Sequence, residues 1–177
     1  MNPKAMGLGA AVLLQILVLC SITFTAYLPL KTGQPITLAT VPVDPRSLFR
    51  GNYARLRYEI SNLPIQDINR LVRPRQNEII YVILSRDSNG IHRYKGVSLT
   101  KPDQGVFIRG RIRETSRSQA SGWTTYPVTY GIEAWFAPKE KALALEKQLR
   151  HSGVAKIRVS KNGKAALEAI VDASEQP

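Results

Sequence analysis

The chain has 177 residues and a formal charge of +12, from 25 Lys and Arg against 13 Asp and Glu, so its folded surface projects a broad positive potential toward anionic partners. Setting aside an apolar N-terminal run leaves roughly 145 residues, the size of one ordinary domain with its own core. The only cysteine, Cys20, lies inside that run, which excludes disulfides and thiol chemistry from the folded part.

From Ala5 to Leu30 there are 26 residues without a charge. That exceeds the ~20 needed to cross a hydrocarbon core and the about 7 to 15 of a signal-peptide apolar region. The reading is a short tail over residues 1–4 and an uncleaved transmembrane signal anchor over 5–30. Cleavage is the alternative, although Ser21, Thr23, Thr25 and Ala26 make no convincing small-x-small site. Lys4 stands on one side of the span and Lys31, Arg46 and Arg50 on the other, so the positive-inside count does not fix orientation. The short tail suits export of the body. Residues 31–35 read as a turn-rich link too short to let a domain over 36–177 leave the bilayer. A tethered basic domain meets phospholipid headgroups or an acidic membrane partner before it meets nucleic acid, which is not expected as a ligand.

Beyond the link, strands are predicted over Ile36–Val43, Tyr53–Ile60, Glu78–Ser85, Ile91–Leu99, Val106–Glu114 and Val128–Phe136, each rich in β-branched or aromatic residues and bounded by turn formers. Ser88-Asn89-Gly90 is a hairpin tip. Asn162-Gly163 predicts a type I′ turn joining Val154–Ser160 to Ala165–Val171. A helix is predicted from Pro138 to about Arg150, with Pro and Glu140 early, Lys147 and Arg150 late, and Gly153 as its stop. A second, short helix is predicted over Ile65–Val72. Strands without regular helix alternation imply an α+β protein: an N-terminal transmembrane helix, then a mainly antiparallel β domain with one helix in its C-terminal half and a terminal β-hairpin.

The densest local pattern is Pro42-Val43-Asp44-Pro45-Arg46-Ser47-Leu48-Phe49-Arg50-Gly51-Asn52-Tyr53-Ala54-Arg55-Leu56-Arg57-Tyr58. Asp44 between prolines has the side chain for an Asx-type turn, Gly51-Asn52 suits a tight reversal, and the following strand is expected to put Ala54, Leu56, Tyr58 and Ile60 on one face. Leu56 and Tyr58 are then core residues, with Tyr53, Arg55, Arg57 and Glu59 opposite. The functional reading makes Asp44, Arg46, Arg50 and Tyr53 a recognition edge. Gly51 to Tyr58 resembles the signature of the bacterial GDYXXLXY family, and the Tyr130–Pro138 junction and the terminal hairpin fit it more loosely. The resemblance implies a membrane-anchored protein with an exported body, no assigned biochemical role, and a polytopic membrane protein as neighbour. Asn52 stands where the family has an acid. Asn replaces a turn-forming side chain well, but neither a proton donor nor a metal ligand, so the change favours architecture over catalysis.

No catalytic constellation, cofactor motif or metal set is legible. The histidines, His92 and His151, and the scattered carboxylates show no catalytic spacing. A likeness to signal peptidases fails because Ser47-Leu48-Phe49-Arg50 lacks the nucleophile context of those enzymes. Arg109, Arg111 and Arg113 alternate with Ile108, Gly110 and Ile112, giving either a solvated face or a platform for lipid phosphates or an acidic surface. The expected function is a non-enzymatic accessory or interaction protein of the cell envelope, anchored in the bacterial inner membrane and binding a polytopic membrane partner. The alternatives are an envelope hydrolase with a site near Asp44 and Tyr53, and a direct anionic-lipid-binding module.

Overall fold

In the computed structural model the apolar run forms one helix, α1, over Pro3–Thr32. The structure describes residues 3–41, 53–69, 75–113, 124–136 and 153–172. From Met6 to Thr32 α1 is long and apolar enough to cross a membrane, as a single-pass anchor or a signal sequence. Leu13, Leu17 and Phe24 are 65, 60 and 68% exposed, a display of apolar surface that lipid accommodates and water does not. The hydroxyls of Thr23, Thr25 and Thr32 fold back onto carbonyls one turn earlier, at 2.9 Å, so they cost little in that setting.

Pro29 sits inside α1 and has no N–H to offer the Thr25 carbonyl. The Lys164 ammonium takes that oxygen instead, at 3.0 Å. α1 continues through Thr32 and β1 (Gln34–Ala39) begins at Gln34, so Gly33 is all that joins them. The predicted link over 31–35 is thus helix at one end and strand at the other. Gly33 donates its N–H to the Pro29 carbonyl at 2.8 Å. A Cβ there would collide with that oxygen and lie 3.0 Å from the Val159 nitrogen, so only glycine lets the helix end so near the sheet.

The remaining strands are β2 (Tyr53–Arg55), β3 (Asn62–Pro64), β4 (Ile79–Arg86), β5 (His92–Ser98), β6 (Val106–Ile112), β7 (Thr125–Thr129), β8 (Ala134–Phe136), β9 (Gly153–Val159) and β10 (Ala165–Asp172). They form sheets ordered β1-β9-β10, β2-β8 and β3-β7-β6-β4-β5, every pair antiparallel. With α1 and a short helix α2 (Ile65–Asn69), this is the expected α+β class with a mainly antiparallel body and a terminal hairpin. One apolar cluster joins the three-stranded and five-stranded sheets, from Ile36 and Leu38 through Ile80, Val82 and Ile108 to Ala155 and Ile157, with Trp135 of the two-stranded sheet packed against it. The predicted helix over Pro138–Arg150 lies outside the described residues, as does the end of the one predicted over Ile65–Val72.

Several boundaries differ from the sequence reading for physical reasons. The strand expected over Tyr53–Ile60 leaves its ladder after Arg55, and Glu59–Ser61 form a 3-10 turn. Ser61 closes that turn, its Oγ accepting the Tyr58 N–H and its own N–H donating to the Tyr58 carbonyl, both at 2.9 Å. The single strand expected over Val128–Phe136 is two, β7 and β8, broken at Gly131, whose φ of 82° ends the extended run. The terminal hairpin exists, but its turn is not type I′, because only Gly163 has positive φ. Its Ser160–Gly163 bond and Ser160–Lys164 closure make a three-residue loop ending in a left-handed glycine, and Asp87–Ile91 repeats the same form.

Among the described residues two hydrogen bonds help to tie the three-stranded sheet to the five-stranded one. The Gly163 carbonyl accepts the Arg109 N–H of β6 at 2.8 Å. On the far side, His92 Nδ1 accepts the Thr37 N–H of β1 at 3.2 Å, which requires an unprotonated nitrogen. Burial, joined by the nearby Arg86 charge and opposed by Asp87, lowers the His92 pKa below its ordinary value of 6.5. The unfolded chain therefore takes up this proton first as pH falls, so the His92 contribution is present above pH 6.5 and is lost as pH drops toward the folded value. Melting of the full-length protein in detergent should show stability rising with pH below 6.5. His92→Gln, which keeps an acceptor, should flatten that slope; an unchanged slope would assign it to other groups.

Candidate functional site

The signature strand is held on both edges. β2 sets Tyr53 opposite Phe136 and Arg55 opposite Ala134, and the Leu56 N–H extends the contact to the Glu133 carbonyl at 2.8 Å. On the other edge the Val41 N–H donates to the Arg57 carbonyl at 2.8 Å, and Thr40 bridges to Tyr58. Alternation then sorts the side chains. Leu56 and Tyr58 are 3% and 1% exposed, while Arg55 and Arg57 face outward.

Beneath the strand two phenols interlock with two backbone segments. Tyr58 donates its hydroxyl to the Ile132 carbonyl and Tyr130 donates to the Ile60 carbonyl, each at 2.6 Å. Burial first, and the Glu133 charge second, hold both phenols far above their ordinary range, so they stay neutral donors. Glu133 organises the loop between them, its two carboxylate oxygens accepting the N–H groups of Tyr130 at 2.5 Å and Gly131 at 3.0 Å. This carboxylate is occupied with backbone donors.

Beside this clamp lies a cleft of about 540 Å³ lined by Arg55, Arg57 and Arg113 with Asn62, Thr129 and Glu133. Among the described residues the ion pairs are Arg93 with Glu59 and Asp87, and Arg158 with Glu168; none involves the three cleft arginines. A second cleft of about 450 Å³ shares Gly131 and Ala134 with the first and reaches Lys164 and Ala26 of α1. The segment from Gly131 to Ala134 is therefore the wall between the arginine cleft and the anchor side. Among the described residues no three His, Cys, Asp or Glu side chains gather as a metal site would need.

Of the residues singled out by sequence, Asp44, Arg46, Arg50, Gly51 and Asn52 lie outside the described residues, and Tyr53 is described by its strand backbone. Arg109, Arg111 and Arg113 alternate with buried Ile108, Gly110 and Ile112 as expected, but they do not act alike. Arg109 is half-buried, Arg111 donates to the Asn77 carbonyl at 3.2 Å, and Arg113 joins Arg55 and Arg57 in the cleft. Residues 15–170 match the GDYXXLXY family. The chain belongs to the GDYXXLXY family. No curated protein and no solved structure matches it. In the GDYXXLXY signature the letter L and the final Y are thus the core residues Leu56 and Tyr58, and two of the variable positions, Arg55 and Arg57, are two of the three arginines of the cleft.

Sequence reasoning placed Arg55 and Arg57 on the outward face but had no means of bringing Arg113 to them, since only the fold spans that separation. The Lys164 contact did leave a signal, a proline following Thr25 by one helical turn inside an apolar helix.

Proposed function

We propose that this GDYXXLXY protein is a non-enzymatic accessory protein of the bacterial cell envelope. α1 anchors it in the inner membrane, the β body lies on the extracytoplasmic side, and the body binds a polytopic membrane-protein partner. The observation that carries this reading is the attachment of body to anchor. A single residue, Gly33, joins α1 to β1, and Lys164 fastens the terminal hairpin to the Thr25 carbonyl. A domain held in this way explores little volume, so its ligands are those that share the membrane plane with it. The family match, over residues 15–170, takes in most of α1 together with the β body.

Purification of the full-length protein in mild detergent, with mass spectrometry of what accompanies it, tests the proposal beside an Asp44→Ala/Tyr53→Ala variant. One integral-membrane protein is expected in stoichiometric yield, reduced about tenfold or more in the variant, the size of one lost interfacial anchor. When expressed separately, that protein must rebind. A solitary wild-type protein overturns the reading.

A further inference from the structure

The arginine cleft is a place where positive charge is concentrated: among the described residues none of its three arginines forms an ion pair, and the Glu133 carboxylate on its lining is taken up by the Tyr130 and Gly131 N–H groups. Arg55 and Arg57 are fixed by the ladder to β8 and by the Val41 bond, and Arg113 by its own N–H, which donates to the Pro127 carbonyl at 2.9 Å. Three guanidinium groups around one concavity repel each other, and solubility alone is served as well by scattering them. An anion entering the cleft removes that repulsion. Guanidinium forks pair with phosphate oxygens bidentately, and about 540 Å³ is the size of a small-molecule site rather than that of a bare ion.

The position of the cleft says where the anion comes from. Counting about 20 residues from Met6 brings the hydrocarbon edge to about Thr25, and the rest of α1 rises about 10 Å through the headgroup layer. Tyr27, 62% exposed, lies at that depth, and so does Lys164 on the Thr25 carbonyl. Ala26, at the same level, lines the second cleft, which the Gly131–Ala134 wall separates from the arginines. The arginine cleft is thus one loop's thickness from lipid headgroups.

The geometry points to Arg55, Arg57 and Arg113 as a site for the phosphate of an anionic phospholipid headgroup in the adjoining leaflet. This depends on α1 spanning the bilayer and on no protein partner. The test titrates full-length protein in neutral detergent with short-chain phosphatidylglycerol, short-chain phosphatidylcholine and inorganic phosphate, counting bound molecules by native mass spectrometry. Phosphatidylglycerol should bind at least about tenfold more tightly than either of the others, and R55Q/R57Q/R113Q should lose about tenfold to a hundredfold of that affinity. R75Q/K95Q/K101Q removes the same charge from exposed positions elsewhere and should stay within about twofold. The triple Arg→Lys variant, which keeps charge without forks, should fall between. A thermal midpoint reports folding, and if the triple Gln variant does not fold, R57Q alone carries the comparison. Equal losses in the cleft and control variants would reduce the effect to a diffuse field and overturn the site. Inorganic phosphate binding as tightly as phosphatidylglycerol, or phosphatidylcholine doing so, would overturn its assignment to an anionic lipid.

Discussion

Tyr58→Ala is expected to destabilise the folded body by about 3–5 kcal/mol, the cost of an aromatic core truncation with its residual cavity. Tyr58 is 1% exposed, and its hydroxyl is the donor to the Ile132 carbonyl at 2.6 Å. Tyr58→Phe separates the two contributions. It keeps the ring and leaves one buried carbonyl unpaired, for an expected loss of about 1–3 kcal/mol. Urea unfolding of the full-length protein in detergent, followed by tryptophan fluorescence, measures both. A Phe variant as stable as wild type would show the hydroxyl to be dispensable and remove the clamp from the account of the signature.

Gly110→Ala should cost about 1–3 kcal/mol by overpacking, although alanine is otherwise the better strand residue. A Cβ at this position would lie 2.5 Å from Val128 Cγ1 and 2.9 Å from Tyr130 Cε1, both on core side chains. To make room, Tyr130 must move, and with it the hydrogen bond to the Ile60 carbonyl that completes the clamp. Adding Val128→Ala to Gly110→Ala supplies the missing space. The double variant should therefore be more stable than the sum of the single losses predicts, by about 0.5 kcal/mol or more. Simple additivity would mean that the two sites do not share that volume.

The elements with strong periodicity were legible in the sequence. The apolar helix α1, β4, β5, β6 and the C-terminal hairpin stand where apolar runs and turn residues put them, because each is long enough for local pattern to exceed local ambiguity. β3 was not foreseen, since Asn62-Leu63-Pro64 is three residues with a proline, and only pairing with β7 makes it a strand. The type I′ expectation at Asn162-Gly163 failed because the Asn162 side chain, accepting the Lys164 N–H at 3.1 Å, stabilises a loop needing positive φ at the glycine alone. Gly110 was read, with Ile108 and Ile112, only as alternating with the arginines, and its real constraint is the closeness of Val128 and Tyr130 from the neighbouring strand and its end. The cleft was half legible: alternation turned Arg55 and Arg57 outward, but their meeting with Arg113 is a product of the tertiary fold.

With α1 held in the bilayer as proposed, the junction at Gly33 makes the orientation of the β body a property of the bilayer. Where the hydrocarbon core is thinner than the about 20 residues of α1 placed in it, the span relieves the excess by leaning. With one glycine between helix and sheet and a lysine clasping the helix two turns from its end, the lean of the span is the lean of the body. Thinner lipid would tip the arginine cleft through the same angle as the helix, so membrane thickness, a mechanical quantity, sets which way this protein faces.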